Sequence, residues 1–576
     1  MLRLLPVQIL LAAVGAVNNI VSSYFASNYI GINAMSAVGL FSPISMLMGA
    51  VSTLFAGGCA IICGQYLGKN DLDKLQNFMS LDLMISSAVS VLFIAAFAVI
   101  SVFDLTGLFT KDPALRPVFG RYLFWQALGV LPFMLGNQLA PFLAMENRGR
   151  RTLAASLAFI AANLFFDFLF IKVFKLEEVG LALASSLGLW IFFLVEAQYF
   201  VSKKSMLKMR IKAAAGKDAL LIIATGFPGA ASYLYQTVRG LILNGLLEAN
   251  TGSMGLSAFA ATNNLMGLFW AVPAGMLAVS RLVMSVSIGE EDRQSLVDVM
   301  RVMVRRFIPI VIAMDLFITL CARPFAVLFF KDISIPAYNM MVSGLRILPW
   351  CMPFSVIYMH FTCYGQASAK HFYVNILAFA DGVACVTGFS ALFIKTMGID
   401  AVYYSNIFNG SVTTLMIIVY AWIRQKSFPG TLEKLMVIPD DFGAAAGDRI
   451  DISIRTKEEV VSLSDRIHEF CISKGIDKKR SYYAALALEE MAGNIVEHGF
   501  EKDNKKHSVD VRVVYKDGNV ILRIKDDCKA FDPGERRQLS SNDDITKNIG
   551  IRMVYGMMKD VSYQNILGLN VLTVKI

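Results

Sequence analysis

The stretch LALEEMAGNIVEHGF, residues 486–500, carries Glu489, Glu490, Asn494, Glu497 and His498. Read as a helix, it buries Ala485, Leu488, Ala492 and Ile495 on one stripe and turns Glu490, Asn494 and Glu497 to the other side. Alone, that polar side is most economically a solvated surface, but its surroundings point to chemistry. Asp526, thirty-two residues after Asn494, ends an alternating apolar run and opens the turn IKDDCKAFDP. Gly550, twenty-four residues further on, opens a helix whose N-terminal N–H groups can receive phosphate oxygens.

A second set lies in very different company. Asp167 sits with Asn163 one turn before it inside NLFFDFLFIKVF, and the pair shares a helix face. A carboxylate in the middle of a membrane helix costs about 2.5–3.5 kcal/mol on insertion scales, so it faces a cavity, a cation or a partner. A structural hydrogen bond between helices is the plainer reading of the same pair. Arg239, Asp315 and Asp381 also fall within apolar stretches.

The elements that position these residues follow from composition. At 576 residues, 56% hydrophobic and 17% charged, with a mean hydropathy of +0.56, the chain exceeds one domain and is too apolar for an ordinary soluble protein. Successive apolar stretches, each long enough to cross ~30 Å of hydrocarbon, predict twelve membrane helices. They fall near 4–28, 36–66, 80–108, 118–145, 152–174, 179–201, 218–247, 255–287, 302–330, 341–367, 371–394 and 401–424. The segment after Met1 has an Arg before an apolar run but no small-residue cleavage site, and reads as the first membrane helix rather than a cleaved signal.

Lys and Arg concentrate in the connections after even-numbered helices and the helix ends beside them, sixteen against seven. This places those loops and both chain ends in the cytoplasm of a plasma-membrane protein. The formal charge of +9 is then met by anionic lipid, and no nucleic-acid partner is expected. Six of the eight cysteines lie in apolar spans as small hydrophobes, and Cys59 and Cys63, one turn apart with no His nearby, do not read as a metal site. A shift of 221 residues lays Ala34 onward over Gly255 onward, matching Gly31 to Gly252, Ser36–Ala37 to Ser257–Ala258, Gly68 to Gly289 and Leu75 to Leu296. Six helices followed by six with the same loop signs predict two parallel repeats, 1–213 and 214–425, with a binding site between them.

The block NLFFDFLFIKVFKLEEVGLALASSLG, residues 163–188, together with the Gly-rich second helix and its Gly68–Lys69–Asn70–Asp71 exit, resembles the multidrug and toxin extrusion (MATE) transporters over about residues 1–425. The resemblance implies that Asn163, Asp167 and Ser185 line a cation-binding cavity, that a small organic cation or drug-like solute is exported, and that H+ or Na+ is the coupling ion. It also has a departure: the family's acidic residue of the first helix falls on Ser22. No GxxxxGK[ST] occurs, so the chain lacks the P-loop of an ATP-driven pump and transport would draw on an ion gradient.

Residues 426–449 form a Pro- and Gly-bearing linker to a region of soluble composition, 450–576. Its pattern predicts strands at 450–454, 508–516, 519–526, 560–564 and 569–575 and helices at 456–473, 479–498 and 548–558, an α/β sandwich. The order E-x-x-x-N, an Asp-led turn with F-D-P, and a Gly before a helix resembles the GHKL (Bergerat) ATP-binding fold, nearest to the anti-sigma-factor serine kinases. That resemblance implies Glu490 as catalytic base, Asn494 as ligand of ATP-bound Mg2+, Asp526 as acceptor for the adenine amine and Gly550 in the phosphate turn. His498 and Lys529 are further candidates. Cys528 and Ala530 stand where the family has glycines, small enough for close approach to a purine but resistant to positive φ.

Two functions fit. In one, a MATE-like exporter carries an ATP-binding domain that senses nucleotide or docks a cytoplasmic regulatory protein. In the other, the bundle is a sensor for a membrane-tethered, anti-sigma-like serine/threonine kinase or switch. Asp167 favours the first and Ser22 leans toward the second.

Overall fold

The computed structural model describes residues 5–13, 30, 32–110, 112–202, 205–209, 216–330, 332–500, 507–516, 518–529, 531–534 and 549–576. Contacts divide the chain into two units, one of residues 1–143 and 148–438, the other of residues 439–576 with 144–147.

The first unit is helical. Among the described residues nine helices are long and apolar enough to span a membrane, or ten if Arg293–Leu320 and Ala322–Phe329, bent by 62°, make one span. The first and seventh of the twelve expected spans are not among these. Most of 4–28, including Ser22, lies outside the described residues. The 218–247 stretch runs into its successor as one 54-residue helix, Gly216–Phe269, in which Gly252 adopts φ 65° and ψ −167°. Only glycine takes that backbone conformation without strain, so Gly252 is where the chain passes from one helix to the next.

The internal repeat is written into local geometry. Asp71 caps the helix Leu72–Val102 by accepting from Lys74 N at 3.0 Å, and Asp292, 221 residues on, caps Arg293–Val302 by accepting from Ser295 N at 3.0 Å. The residues before these caps, Asn70 and Glu291, both turn through the left-handed region, at φ 60° and 52°. The repeats also meet reciprocally. A Cβ on Gly68 would run into Val286 O, and one on Gly289 would run into Gln65 O. Gln65 and Val286 are themselves 221 apart, so this is one contact seen from each repeat, the signature of a two-fold relation. Gly64 lies on the Ser285 side chain at its centre.

The second unit is an α/β layer. Strands β1 (Arg449–Ile454), β2 (Val509–Lys516), β3 (Asn519–Asp526), β4 (Asp560–Ile566) and β5 (Leu569–Lys575) form one antiparallel sheet in the order β1-β2-β3-β5-β4. Helices Lys457–Ser473, Lys478–Asn494 and Ile549–Met557 accompany it. Thr456 and Glu459 form a reciprocal capping box at the first helix, and Asp477 caps the second. Leu463, Ile467, Ala484, Leu488 and Ala492 from the helices pack with Val511, Val513, Leu522, Ile524 and Val574 from the sheet. Each larger apolar side chain there contributes ~1.5–3 kcal/mol by leaving water.

Candidate functional site

The pleat of β3 sends Val520, Leu522, Ile524 and Asp526 to one buried side. Asp526 therefore occupies the last inward position of a strand whose other inward residues are apolar. It lies in direct cross-strand register with Asn570 of β5. Asn570 Nδ2 donates to Asp526 Oδ1 at 2.8 Å and to Cys528 O at 3.2 Å, while Cys528 N donates to the same carboxylate oxygen at 2.9 Å. Tyr563 OH donates to Asn570 Oδ1 at 2.7 Å and accepts from Phe531 N at 3.1 Å, tying the turn after β3 to the sheet. Burial pushes the Asp526 carboxyl above its ordinary value, and the Asn570 and Cys528 donors offset part of that rise. Burial also holds the Tyr563 phenol up at about 12, so it stays a donor at neutral pH.

These residues floor a cavity of about 420 Å³. Its apolar walls are Met491, Ile495, Phe531, Ile551 and Leu572, and its polar groups are Asn494, His498, Asp526, Lys529, Tyr563 and Asn570, with Cys528 at the edge. A mostly apolar slot of this size with a few convergent polar atoms suits one small planar ligand. A lining carboxylate held by amide donors suits recognition of that ligand's exocyclic amine.

The polar helix face is arranged around the same cavity. The Asn494 side-chain amide donates to Glu490 O, which turns its oxygen away from the helix backbone. After Asn494 the helix widens into a π turn over Ile495–Gly499, placing His498 and Gly499 on the cavity wall. Glu490 stands outside the cavity lining and against Gly550, where a Cβ would overlap its carboxylate. The start of the described helix Ile549–Met557 thus lies next to Glu490. Glu497 pairs with Lys457 at 2.7 Å on the outer side. Ala530 and residues 535–548 lie outside the described residues. Sequence reasoning missed Asn570 and Tyr563, because a lone Asn and Tyr on strands carry no motif and only register pairs them with Asp526.

In the helical unit Asn163 and Asp167 are fully buried on Gly149–Asp167, and Asp167 lies within electrostatic reach of Tyr122. Neither oxygen of Asp167 has a hydrogen-bond partner among the described residues. Ser185 is half-buried, and it is its neighbour Ser186 that bonds across to Trp125 O at 3.1 Å. Asp381 accepts from Asn409 at 2.8 Å. Asp82 and Asp315 are wholly buried with both carboxylate oxygens unpartnered among the described residues, and Glu196 is wholly buried as well. Asp82 and Glu196 escaped the sequence reading. The third span was drawn from residue 80, which put Asp82 at its edge, whereas the helix begins at Leu72 and carries Asp82 three turns inside.

The fold of the helical unit is that of solved MATE transporters. A MATE structure in complex with MaL6 matches at TM-score 0.68 and 21% identity over 74% of this chain and 95% of the other. A MOP superfamily transporter from Pyrococcus furiosus matches at TM-score 0.66 and 20% identity over 74% and 94%. In sequence, the MatE family model matches residues 10–202, and the histidine kinase-like ATPase domain model matches residues 455–576. Multidrug export protein MepA of Staphylococcus saprophyticus is 24% identical over 255 residues, 43% of this chain and 54% of that protein. MepA of Staphylococcus aureus is 24% identical over 270 residues, 45% and 58% respectively. The chain thus spans a little over half the length of the curated relatives it matches. It is a multi-pass membrane protein by its apolar helices, similar to the MatE family over residues 10–202 and to the histidine kinase-like ATPase domain over residues 455–576.

Proposed function

We propose that the helical unit exports small organic solutes in exchange for protons or sodium ions, and that the C-terminal unit binds ATP with Mg2+ to control it. The observation that carries the transport reading is Asp167, buried, unpartnered among the described residues and beside Asn163 in a MATE fold. A carboxylate so placed holds either a proton or a cation, which is what an ion-coupled exchanger requires. Asn163 and Ser185 complete the candidate cation cavity in this proposal. Its two repeats, 1–213 and 214–425, enclose the substrate path, and the linker 426–449 leads to an ATP domain at 450–576. With both termini cytoplasmic, that domain meets cellular ATP at the plasma membrane.

In the ATP site, Asp526 reads the adenine amine, Met491, Ile551 and Leu572 sandwich the ring, Asn494 offers an amide oxygen to Mg2+, and the helix opening at Gly550 receives phosphate. When ATP is bound it supplies a transferable phosphoryl group. The closeness of Glu490 to Gly550 supports it as the base that takes the proton of an attacking hydroxyl, in a serine/threonine kinase acting on a cytoplasmic regulatory protein. The test is efflux of a fluorescent organic cation from cells expressing the chain. Asp167→Asn abolishing efflux supports the exporter. Wild-type efflux in that variant would argue against Asp167 as the coupling residue, and no efflux above that of cells lacking the chain would leave the sensor-kinase reading in its place.

A further inference from the structure

The antiparallel pairing of β2 and β3 sets Val509 against Asp526, and the same register carried two residues beyond the strands brings residues 507 and 528 opposite each other. His507, Asp527 and Cys528 meet there. His507 Nδ1 and Asp527 Oδ1 are 2.7 Å apart, and these two atoms and Cys528 Sγ all lie within 4.8 Å of one another. Among the described residues this is the one grouping of three His, Cys, Asp or Glu side chains with ligand atoms so close. The site is enclosed rather than a surface accident. The His507 side chain is 1% exposed and Asp527 19%, the Phe500 ring lies over the imidazole at 5.6 Å, and Gly499 backs the sulfur so closely that a Cβ there would stand 3.3 Å from it.

We infer that His507, Asp527 and Cys528 form a binding site for a borderline-soft divalent transition metal of the zinc class. Bonds of about 2.0–2.3 Å to N, O and S put tetrahedral ligand atoms roughly 3.3–3.8 Å apart, so the His507–Asp527 pair, now at 2.7 Å, has to open slightly to admit the ion, while the sulfur already lies within 4.8 Å of both. The donor set selects the metal class, since a thiolate and an imidazole disfavour Mg2+ and Ca2+, which take oxygen ligands. On binding, the Cys528 thiol proton goes to solvent, the imidazole proton moves from Nδ1 to Nε2, and Asp527 stays ionised. No oxidant or reductant is involved. Three protein ligands leave a fourth position for water or another group.

The site shares a residue with the nucleotide pocket. Cys528 N donates to Asp526 Oδ1 and Cys528 lines the cavity, so a metal that fixes Cys528 also fixes the carboxylate that reads the purine. Metal and nucleotide therefore raise each other's affinity by the same factor. The metal site itself stands on the side-chain geometry and does not require that the bundle transport anything.

The test is titration of Co2+ into the detergent-solubilised full-length chain after chelation. The expected result is one equivalent bound with a thiolate-to-cobalt charge-transfer band, displaced by Zn2+, absent in Cys528→Ser and weakened at least tenfold in both His507→Ala and Asp527→Asn. Circular dichroism on each variant establishes that the fold is kept, and Asp527→Asn, the most conservative of the three, serves where either of the others unfolds. Absence of a thiolate band in the folded wild type, or a band undiminished in Cys528→Ser, overturns the proposal.

Discussion

Asp526 and Asn570 stand opposite each other on β3 and β5, and the Asn570 amide holds the Asp526 carboxylate with a 2.8 Å hydrogen bond inside an otherwise apolar layer. An unpaired buried carboxylate is costly, so the Asn is what allows an acid to face the cavity at all. Replacing Asn570 with Ala is expected to destabilise the C-terminal unit by about 1–3 kcal/mol and to weaken ATP binding at least tenfold. Denaturant unfolding followed at the domain and calorimetric ATP titration check the two parts.

The pH dependence of binding follows from the raised Asp526 carboxyl. With its folded value above the unfolded one, this group's contribution to stability is fully present below the unfolded value and is lost as pH rises through the folded value. Recognition of an adenine amine runs the other way, because it needs the ionised acceptor. ATP affinity should therefore fall as pH is lowered from neutrality, beginning above the range of a free carboxylate and reaching about tenfold per pH unit. Asp526→Asn should bind weakly and lose this acid limb, as read by titrations across pH.

Gly550 has no room for a side chain because Glu490 occupies the space. Gly550→Ala should cost about 1–3 kcal/mol through overpacking. The double variant Gly550→Ala with Glu490→Ala should regain most of that stability by removing the overlap, without regaining any phosphoryl transfer. Thermal unfolding of the two variants and a phosphorylation assay separate packing from chemistry.

The contact of Gly68 with Val286 and of Gly289 with Gln65 is the same contact in each repeat. Gly68→Val and Gly289→Val should accordingly impair efflux to a similar degree, each disfavouring the arrangement in which these helix ends touch by about 1–3 kcal/mol. Strong impairment by one and none by the other would argue against the two-fold relation. Cell efflux at matched expression is the measurement.

Much of this architecture is legible in the sequence. Alternation placed the five strands, since β3 reads VILRIKD with every second residue buried, and hydropathy placed most of the spans. The 221-residue shift read from the sequence also relates the caps at Asp71 and Asp292, which only the structure shows. What stayed hidden depended on three-dimensional register. Asn570 and Tyr563 reach Asp526 only through strand pairing, and His507 meets Cys528 because β2 and β3 run antiparallel. Asp82 was hidden by a helix boundary: hydropathy ignores the amphipathic first turns that here start at Leu72. The polar stretch Glu248–Ser253 separates two spans in the sequence, and the kink at Gly252 falls within it although the two helices run on without a gap.

The central claim is that nucleotide in the C-terminal unit governs ion-coupled transport by the bundle. The most direct measurement is ethidium transport by the purified chain in liposomes under an imposed proton or sodium gradient, with and without a non-hydrolysable ATP analogue and Mg2+ on the side of the ATP domain. The account predicts transport whose rate changes with the analogue in the wild type and does not change in Asp526→Ala. Transport at one rate with and without analogue, in protein shown by titration to have bound it, would contradict the account.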